Sequence, residues 1–440
     1  MIAAIDLGTG SCKVIVFNPD GTEVERATSS YENAVLEGGR AEQMPERWEG
    51  AVKELLQTID SDIDAIAVTG LGRGITFLGK DRKPVRNSIL AYMDSRTEEV
   101  DTELPGLNWG QRQLFENLQW VRQSQGDVFG EVEHAVDARD YIGYLLTGEL
   151  RRNDFGVTGE VEEAGKELGF DQLLPPLNDS MTPLGTLSRE MRQLTGLDEI
   201  PVYVAPWDAI CSVLGSGIKQ EGEGMVICGS TTVTAVCLPE EDERANKSHL
   251  VDGKGFYLGA EPAGSAYEWF RQNMAEDYTY EEIDSMIEET KPAEGPLTLP
   301  FFKGNRLDSL PGTITGIENG TSIAEIARSV IEAEAYFLRE EFEEFEIKEV
   351  RISGGGAKSH VRNRIRADVV GEEFKRLETD DTSALGAAMI ASAAEGVHEN
   401  LTEAIAEMTS VKETFQPEDE NSYETAYQRY RKLEEALEDV

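Results

Sequence analysis

The chain has 440 residues, 40% of them hydrophobic, with 84 Asp and Glu against 41 Lys and Arg and a formal net charge of −43. This length predicts two or three domains with full cores, and the charge excludes nucleic acid and anionic membrane as partners, because phosphate surfaces demand positive charge. The acid is spread along the whole chain, which reads as a solvated surface for a high-salt cytoplasm and predicts a halophilic source.

The chain opens with an apolar run, Ile2 to Leu7, a tight Asp6-Leu7-Gly8-Thr9-Gly10 turn, and a second apolar run through Phe17. Residues 1–30 read as a β-meander. No leader precedes the first strand and no apolar run approaches the ~20 residues of a membrane span, so a soluble cytoplasmic protein is expected. Glu42 to Thr58 has helical spacing, with Trp48, Val52, Leu55 and Leu56 on one side. Ile63 to Thr69 reads as a buried strand that runs into Gly70-Leu71-Gly72-Arg73-Gly74, and Ile75 to Leu78 as another strand. Glu116 to Gln125 and Ala138 to Leu146 look helical. Val202 to Ala205 is a short strand that ends in Pro206-Trp207-Asp208-Ala209, and a helical segment with small residues follows.

Gln220 to Gly224 is polar and carries glycine, which marks a domain boundary. Beyond it the opening pattern returns: an apolar run from Gly224 to Cys228, a Gly229-Ser230-Thr231 turn, and a second apolar run through Val236. Two strand–turn–strand hairpins, one per half, predict a duplicated fold that grips a nucleotide. Ser322 to Phe345 reads as a long helix with an acidic outer face. Glu349 to Ser353 is a strand that runs into Gly354-Gly355-Gly356-Ala357, Ser383 to Ala394 is a helix of small residues suited to close packing, and Tyr423 to Leu437 is an amphipathic helix. The four cysteines, Cys12, Cys211, Cys228 and Cys237, form no C-x-x-C pair and read as free buried thiols.

The hairpin turns carry chemistry. Small residues let backbone N–H groups approach a phosphate, Lys13 adds a cation, and Asp6 offers the hard oxygen that Mg²⁺ requires. Asp6 is also an ordinary turn residue by type. Asp208, between a short strand and a helix, is by its local sequence either a helix N-cap or a catalytic base. Arg73 reads as a surface arginine or as a ligand for a hydroxyl or carboxylate.

Taken in order, the motifs resemble the FGGY carbohydrate kinases. They are Asp6-x-Gly8-Thr9 with Lys13, Glu42-Gln43-x-Pro45-Glu46-x-Trp48, Asp94-Ser95-Arg96, Asp140-Tyr141-x-x-Tyr144-Leu145-Leu146-Thr147-Gly148-Glu149, and Asp208-Ala209 with Gly215-x-Gly217. Gly264-Ser265-Ala266-x-x-Trp269, Phe302-x-Gly304-x-Arg306, Gly354-Gly355-Gly356-Ala357-x-Ser359 with Ala367-Asp368, and Ala384-Leu385-Gly386-Ala387-Ala388 follow.

The resemblance implies two related α/β domains of the actin/hexokinase-like (ribonuclease H-like) ATPase fold with an interdomain cleft. Residues 1–219 would bind sugar and supply the base, and residues 220–440 would bind nucleotide. It implies ATP- and Mg²⁺-dependent phosphorylation of a small sugar, polyol or sugar acid, with Asp208 as general base and Asp6 at the metal. Thr9, Gly10, Lys13, Ser230 and Thr231 would hold phosphates, and Gly264, Gly355, Gly356 and Ala357 would line the adenosine site. Arg73, Asp94 and Trp120 would face the acceptor, with Arg96 as structural partner of Asp94. Trp207 either faces the sugar or packs in the core.

The Gly70–Gly74 stretch has neither the Gln-Met-His-Gly typical of xylulose kinases nor the Asn-Gln-Arg-Glu of glycerol kinases. A xylulose-kinase-like enzyme is the expectation, with a glycerol or polyol kinase as one alternative and a catalytically degenerate nucleotide-binding sugar sensor as another. A chaperone- or actin-like ATPase would need a peptide-binding or polymer segment beyond the two domains. A homodimer is the candidate assembly.

Overall fold

The computed structural model describes residues 1–32, 34–36, 39–100, 107, 109–153, 160–229, 231–247, 251, 253–302 and 310–438. Ser230, Gly304 and Arg306 lie outside them. The chain divides into two compact units: Met1–Gly215 with Thr382–Met408, and Ser216–Asp381 with Thr409–Val440. The sequence division at residue 219 leaves 382–408 with the second half, whereas the structure packs this stretch in the first unit. Gly215 and Gly386 show the reason. A Cβ on Gly215 would stand 1.9 Å from the Thr382 carbonyl oxygen, and one on Gly386 would stand 1.9 Å from that of Cys211. Helices Asp208–Gly215 and Thr382–Ala394 therefore meet backbone to backbone, which only glycine permits.

The first unit is built on a six-stranded sheet in the order Gly185–Thr186, Pro201–Trp207, Ala65–Gly70, Ile2–Leu7, Ser11–Phe17, Glu23–Ser30. Residues 2–30 form the expected antiparallel meander, with Ile2 opposite Phe17 and Ser11 opposite Ser30. Ala65–Gly70 and Pro201–Trp207 add in parallel. Ile5, Val14, Val16 and Val68 are fully buried against Trp48, Val52 and Leu56 of helix Pro45–Thr58, which starts on a proline that has no N–H to leave unsatisfied. A second sheet of five strands, among them Gly74–Leu78 and His134–Asp137, carries its own core of Ile75, Phe77, Phe115 and Phe170.

The second unit repeats the arrangement. Its sheet runs Asn246–Lys247, Lys254–Glu261, Thr232–Pro239, Glu223–Cys228, Glu349–Ser353, Phe374–Leu377, Val411–Phe415. Both units thus hold a hairpin, a third antiparallel strand beside its second strand, and two parallel strands beside its first. The duplication read from two hairpins extends to five strands.

Helix Ile323–Phe342 starts on a reciprocal cap, in which Ser322 Oγ accepts from the Glu325 N–H and the Glu325 carboxylate accepts from the Ser322 N–H at 2.7 Å. Its acid is not all on an outer face. Glu332, Glu334 and Glu341 are buried, and Glu334 pairs with Arg362 at 3.0 Å and Arg366 at 3.1 Å. All four cysteines are free and buried. Among the described residues no helix is long and apolar enough to cross a membrane.

Candidate active site

In the first unit the parallel strands end together. Asp6 stands one residue before the end of Ile2–Leu7, in register with Thr69 on one side and Lys13 on the other. The following turn closes through the Gly8 N–H donating to the Ser11 carbonyl at 2.9 Å, and Tyr31 OH donates to the Gly8 carbonyl at 2.7 Å. Gly10 has open space around it. Thr9 Oγ1 shares a short hydrogen bond with Tyr92 OH. Ser383, at the start of helix Thr382–Ala394, donates to Asp6 Oδ2 at 2.6 Å.

Asp208 opens helix Asp208–Gly215, directly after strand Pro201–Trp207. Its Oδ1 accepts the Ala209 N–H at 2.7 Å, so it ties the first turn of the helix. Burial, and then the negative charge of Asp6, push its pKa up to about 7, while the Ala209 N–H and Arg139 pull the other way. A carboxylate tuned near neutrality can take a proton from an alcohol and release it again.

The charge of Asp6 raises the cost of ionising Asp208, and such a pair suits a divalent cation. Among the described residues no three metal-ligating side chains cluster. Mg²⁺ does not need such a cage, because it keeps waters and binds through one or two carboxylates plus substrate phosphates. The Asp6 carboxylate has the chemistry such an ion needs.

Arg73 is buried, with a guanidinium nitrogen 3.6 Å from Asp137 Oδ2 and its Cζ 5.1 Å from the Trp207 ring. Asp94 is taken up by the protein. Its Oδ1 accepts Arg96 Nε–H at 2.7 Å and the Arg96 backbone N–H at 2.9 Å, and its Oδ2 accepts Arg96 Nη2–H at 2.7 Å and the Ala41 N–H at 2.7 Å. Four donors fill the four lone-pair sites of a carboxylate. Trp120 is buried beneath Arg96, whose Cζ is 4.6 Å from the ring, and Arg40 at 5.1 Å. Arg96 also pairs with Glu42 at 2.9 Å, and Arg86 joins the same carboxylate. Asp94, Arg96 and Trp120 thus form one buried brace.

The second unit contains a cavity of about 510 Å³, lined among others by Gly264, Gly355, Gly356, Tyr267, Tyr280 and Arg362. Three of the four residues expected at an adenosine therefore share one pocket. Ala357 lies behind it, fully buried. Gly264 is required by space, since a Cβ there would stand 1.9 Å from the Gly229 carbonyl oxygen, and one on Gly356 would be 2.9 Å from Cys228 Cβ. Thr231, in the hairpin turn of this unit, is exposed. The Tyr267 and Tyr280 rings stack at 6.0 Å, and the Arg362 guanidinium lies 4.2 Å from the Tyr267 ring.

Sequence reasoning missed Tyr92, Asp137, Ser383, Tyr267, Tyr280 and Arg362. Tyr92 and Tyr267 lie beside quoted motifs, where an aromatic among small or acidic residues was the available signal. Arg362 sits in the helix that directly follows the Gly354–Ser359 loop, whereas Ser383 reaches Asp6 only through packing of a helix distant in sequence.

The family model described as the N-terminal domain of the FGGY family of carbohydrate kinases matches residues 1–164, and that for the C-terminal domain matches residues 225–395. The chain is 26% identical to a xylulose kinase of Bacillus subtilis (strain 168), over 98% of this chain and 96% of the relative. A crystal structure of xylulose kinase from Rhodospirillum rubrum superposes with a TM-score of 0.85 at 25% identity, covering 99% of both chains. A Plasmodium falciparum glycerol kinase structure with ADP gives 0.84 at 18% identity, covering 100% of this chain and 97% of that one. With both family models matched in order and the duplicated sheets carrying an acidic site and a separate pocket, the chain belongs to the FGGY family of carbohydrate kinases and is a carbohydrate kinase.

Proposed function

We propose that the protein transfers the terminal phosphoryl group of ATP to a hydroxyl of a small sugar, with a ketopentose of the xylulose type as acceptor. The observation that carries this reading is Asp208, a carboxylate poised near pH 7 beside Asp6 at the ends of the parallel strands. Asp208 accepts the hydroxyl proton as the acceptor oxygen attacks phosphorus. Asp6, held by Ser383, would bind Mg²⁺, and the ion would supply neutralisation of charge on the phosphates. Thr9, Gly10 and Lys13 hold phosphate oxygens from the hairpin turn of the first unit. The pocket of Gly264, Gly355 and Gly356, backed by Ala357, takes the adenosine.

Arg73 directs the acceptor. Asp94 and Trp120 act behind Arg96, as the brace that fixes its position, and not on the sugar. The overlay with glycerol kinase supports a polyol as the second reading. The full set of acid, turn and pocket residues speaks against a degenerate sensor. We further read the dispersed net charge of −43 as adaptation to a high-salt cytoplasm. A homodimer stays the proposed assembly.

The test is Asp208→Asn, assayed with ATP and a panel of sugars, polyols and sugar acids in molar KCl. Turnover should fall by at least about 100-fold with ATP still bound. Near-normal turnover would reduce Asp208 to a helix cap.

A further inference from the structure

The residue before the proposed base is a large side chain held at both ends of its ring. Trp207 ends strand Pro201–Trp207, where a register shift after Val204 sets it opposite Gly70. A Cβ on Gly72 would stand 2.4 Å from Trp207 Cγ, and a Cβ on Gly110 would stand 2.3 Å from Cη2. Both ends of the indole thus occupy space that exists only because two residues, from different parts of the chain, have no side chain. Indole Nε1–H donates to Asp137 Oδ2 at 3.3 Å, and the Arg73 and Arg139 guanidinium carbons lie 5.1 and 5.5 Å from the ring. Asp137, Arg73 and Arg139 are 4%, 3% and 0% exposed, while Trp207 keeps a partly accessible surface. The indole packs on a buried charged cluster that includes Arg73, and its residue directly precedes Asp208 in the chain.

We propose that Trp207 is the specificity-determining wall of the acceptor site, an indole locked by Gly72, Gly110 and Asp137 that limits the length of the sugar presented to Asp208. This rests on the reading of Asp208 as the base. A smaller residue at 207 would leave beside the base a space bounded by two glycines, open to additional acceptor carbons. One extra methylene accommodated or refused in such a pocket changes kcat/KM by about 10- to 200-fold.

The test compares Trp207→Ala, Trp207→Phe and Gly110→Ala with wild type. Acceptors of three, five and six carbons (glycerol, xylulose and gluconate) are assayed at saturating ATP in molar KCl. Trp207→Ala should raise the kcat/KM of the six-carbon acceptor relative to the three-carbon one by about 10-fold or more, with the KM for ATP unchanged. Trp207→Phe, which keeps a ring in the slot, should restore the wild-type ranking. Gly110→Ala, which drives the indole outward, should shift the ranking toward the shorter acceptor. If Trp207→Ala fails to fold, the opposite shift in Gly110→Ala alone decides the matter. Equal loss on all three acceptors, or an unchanged ranking in the folded variants, overturns the proposal. An inactive Asp208→Asn together with an unchanged ranking in Trp207→Ala rejects the wall and leaves the base intact. An active Asp208→Asn rejects the reading of the base itself.

Discussion

Asp208→Asn should stabilise the ligand-free protein while it abolishes turnover. The carboxyl titrates near 3.8 when unfolded and near 7 in the folded first unit, because burial and Asp6 oppose its charge. The sign follows from linkage: the folded state binds the proton more tightly, so this group's contribution is neutral below about pH 4 and increasingly destabilising as pH rises toward 7. A shift of about three units at about 1.36 kcal/mol each sets a ceiling of about 4 kcal/mol. Solvent reaching the partly accessible site reduces this, and about 1–3 kcal/mol should survive. The asparagine keeps the shape and the acceptor for the Ala209 N–H but carries no charge. Thermal melting of wild type and variant in molar KCl, without nucleotide or Mg²⁺, should therefore diverge as pH is raised from 5 to 8. The variant should melt a few degrees higher at pH 8, with only about a third of that difference at pH 5. A constant difference across that range would show that Asp208 is not held against its charge, and the account of the site would fail with it.

Lowering KCl lengthens screening from about 3 Å at 1 M to about 10 Å at 0.1 M, so the melting temperature should fall as salt is removed; a flat profile would refute the halophilic reading. Arg73→Ala should raise the acceptor KM with ATP affinity held, at about 10- to 150-fold in kcat/KM; loss of ATP binding with acceptor KM unchanged would move Arg73 to the phosphates. Gly264→Ala places a methyl 1.9 Å from the Gly229 carbonyl oxygen and should raise the KM for ATP at least about tenfold while the acceptor KM holds, whereas an unaltered KM for ATP would take Gly264 out of the nucleotide pocket.

The sequence by itself determined the strands, the hairpin turns and the duplication. Apolar runs such as Ile2–Leu7 and Gly224–Cys228, interrupted by small residues, specify local backbone, and local backbone is what neighbouring residues in sequence can dictate. It also brought Asp6 and Asp208 forward as candidates, since a carboxylate at the end of an apolar strand is conspicuous. What each carboxylate does there was a matter for tertiary structure. Asp94 reads as a sugar ligand until Arg96 and the Ala41 N–H take all of its acceptor sites. Trp120 reads as a sugar platform until Arg96 covers it. Helix Thr382–Ala394 reads as part of the second half until its glycine meets the Cys211 carbonyl in the first unit. Ser383 and the glycine slot around Trp207 have no local signature at all. Their roles depend on distances between residues far apart in sequence, and those distances exist only once the helices pack on the sheets.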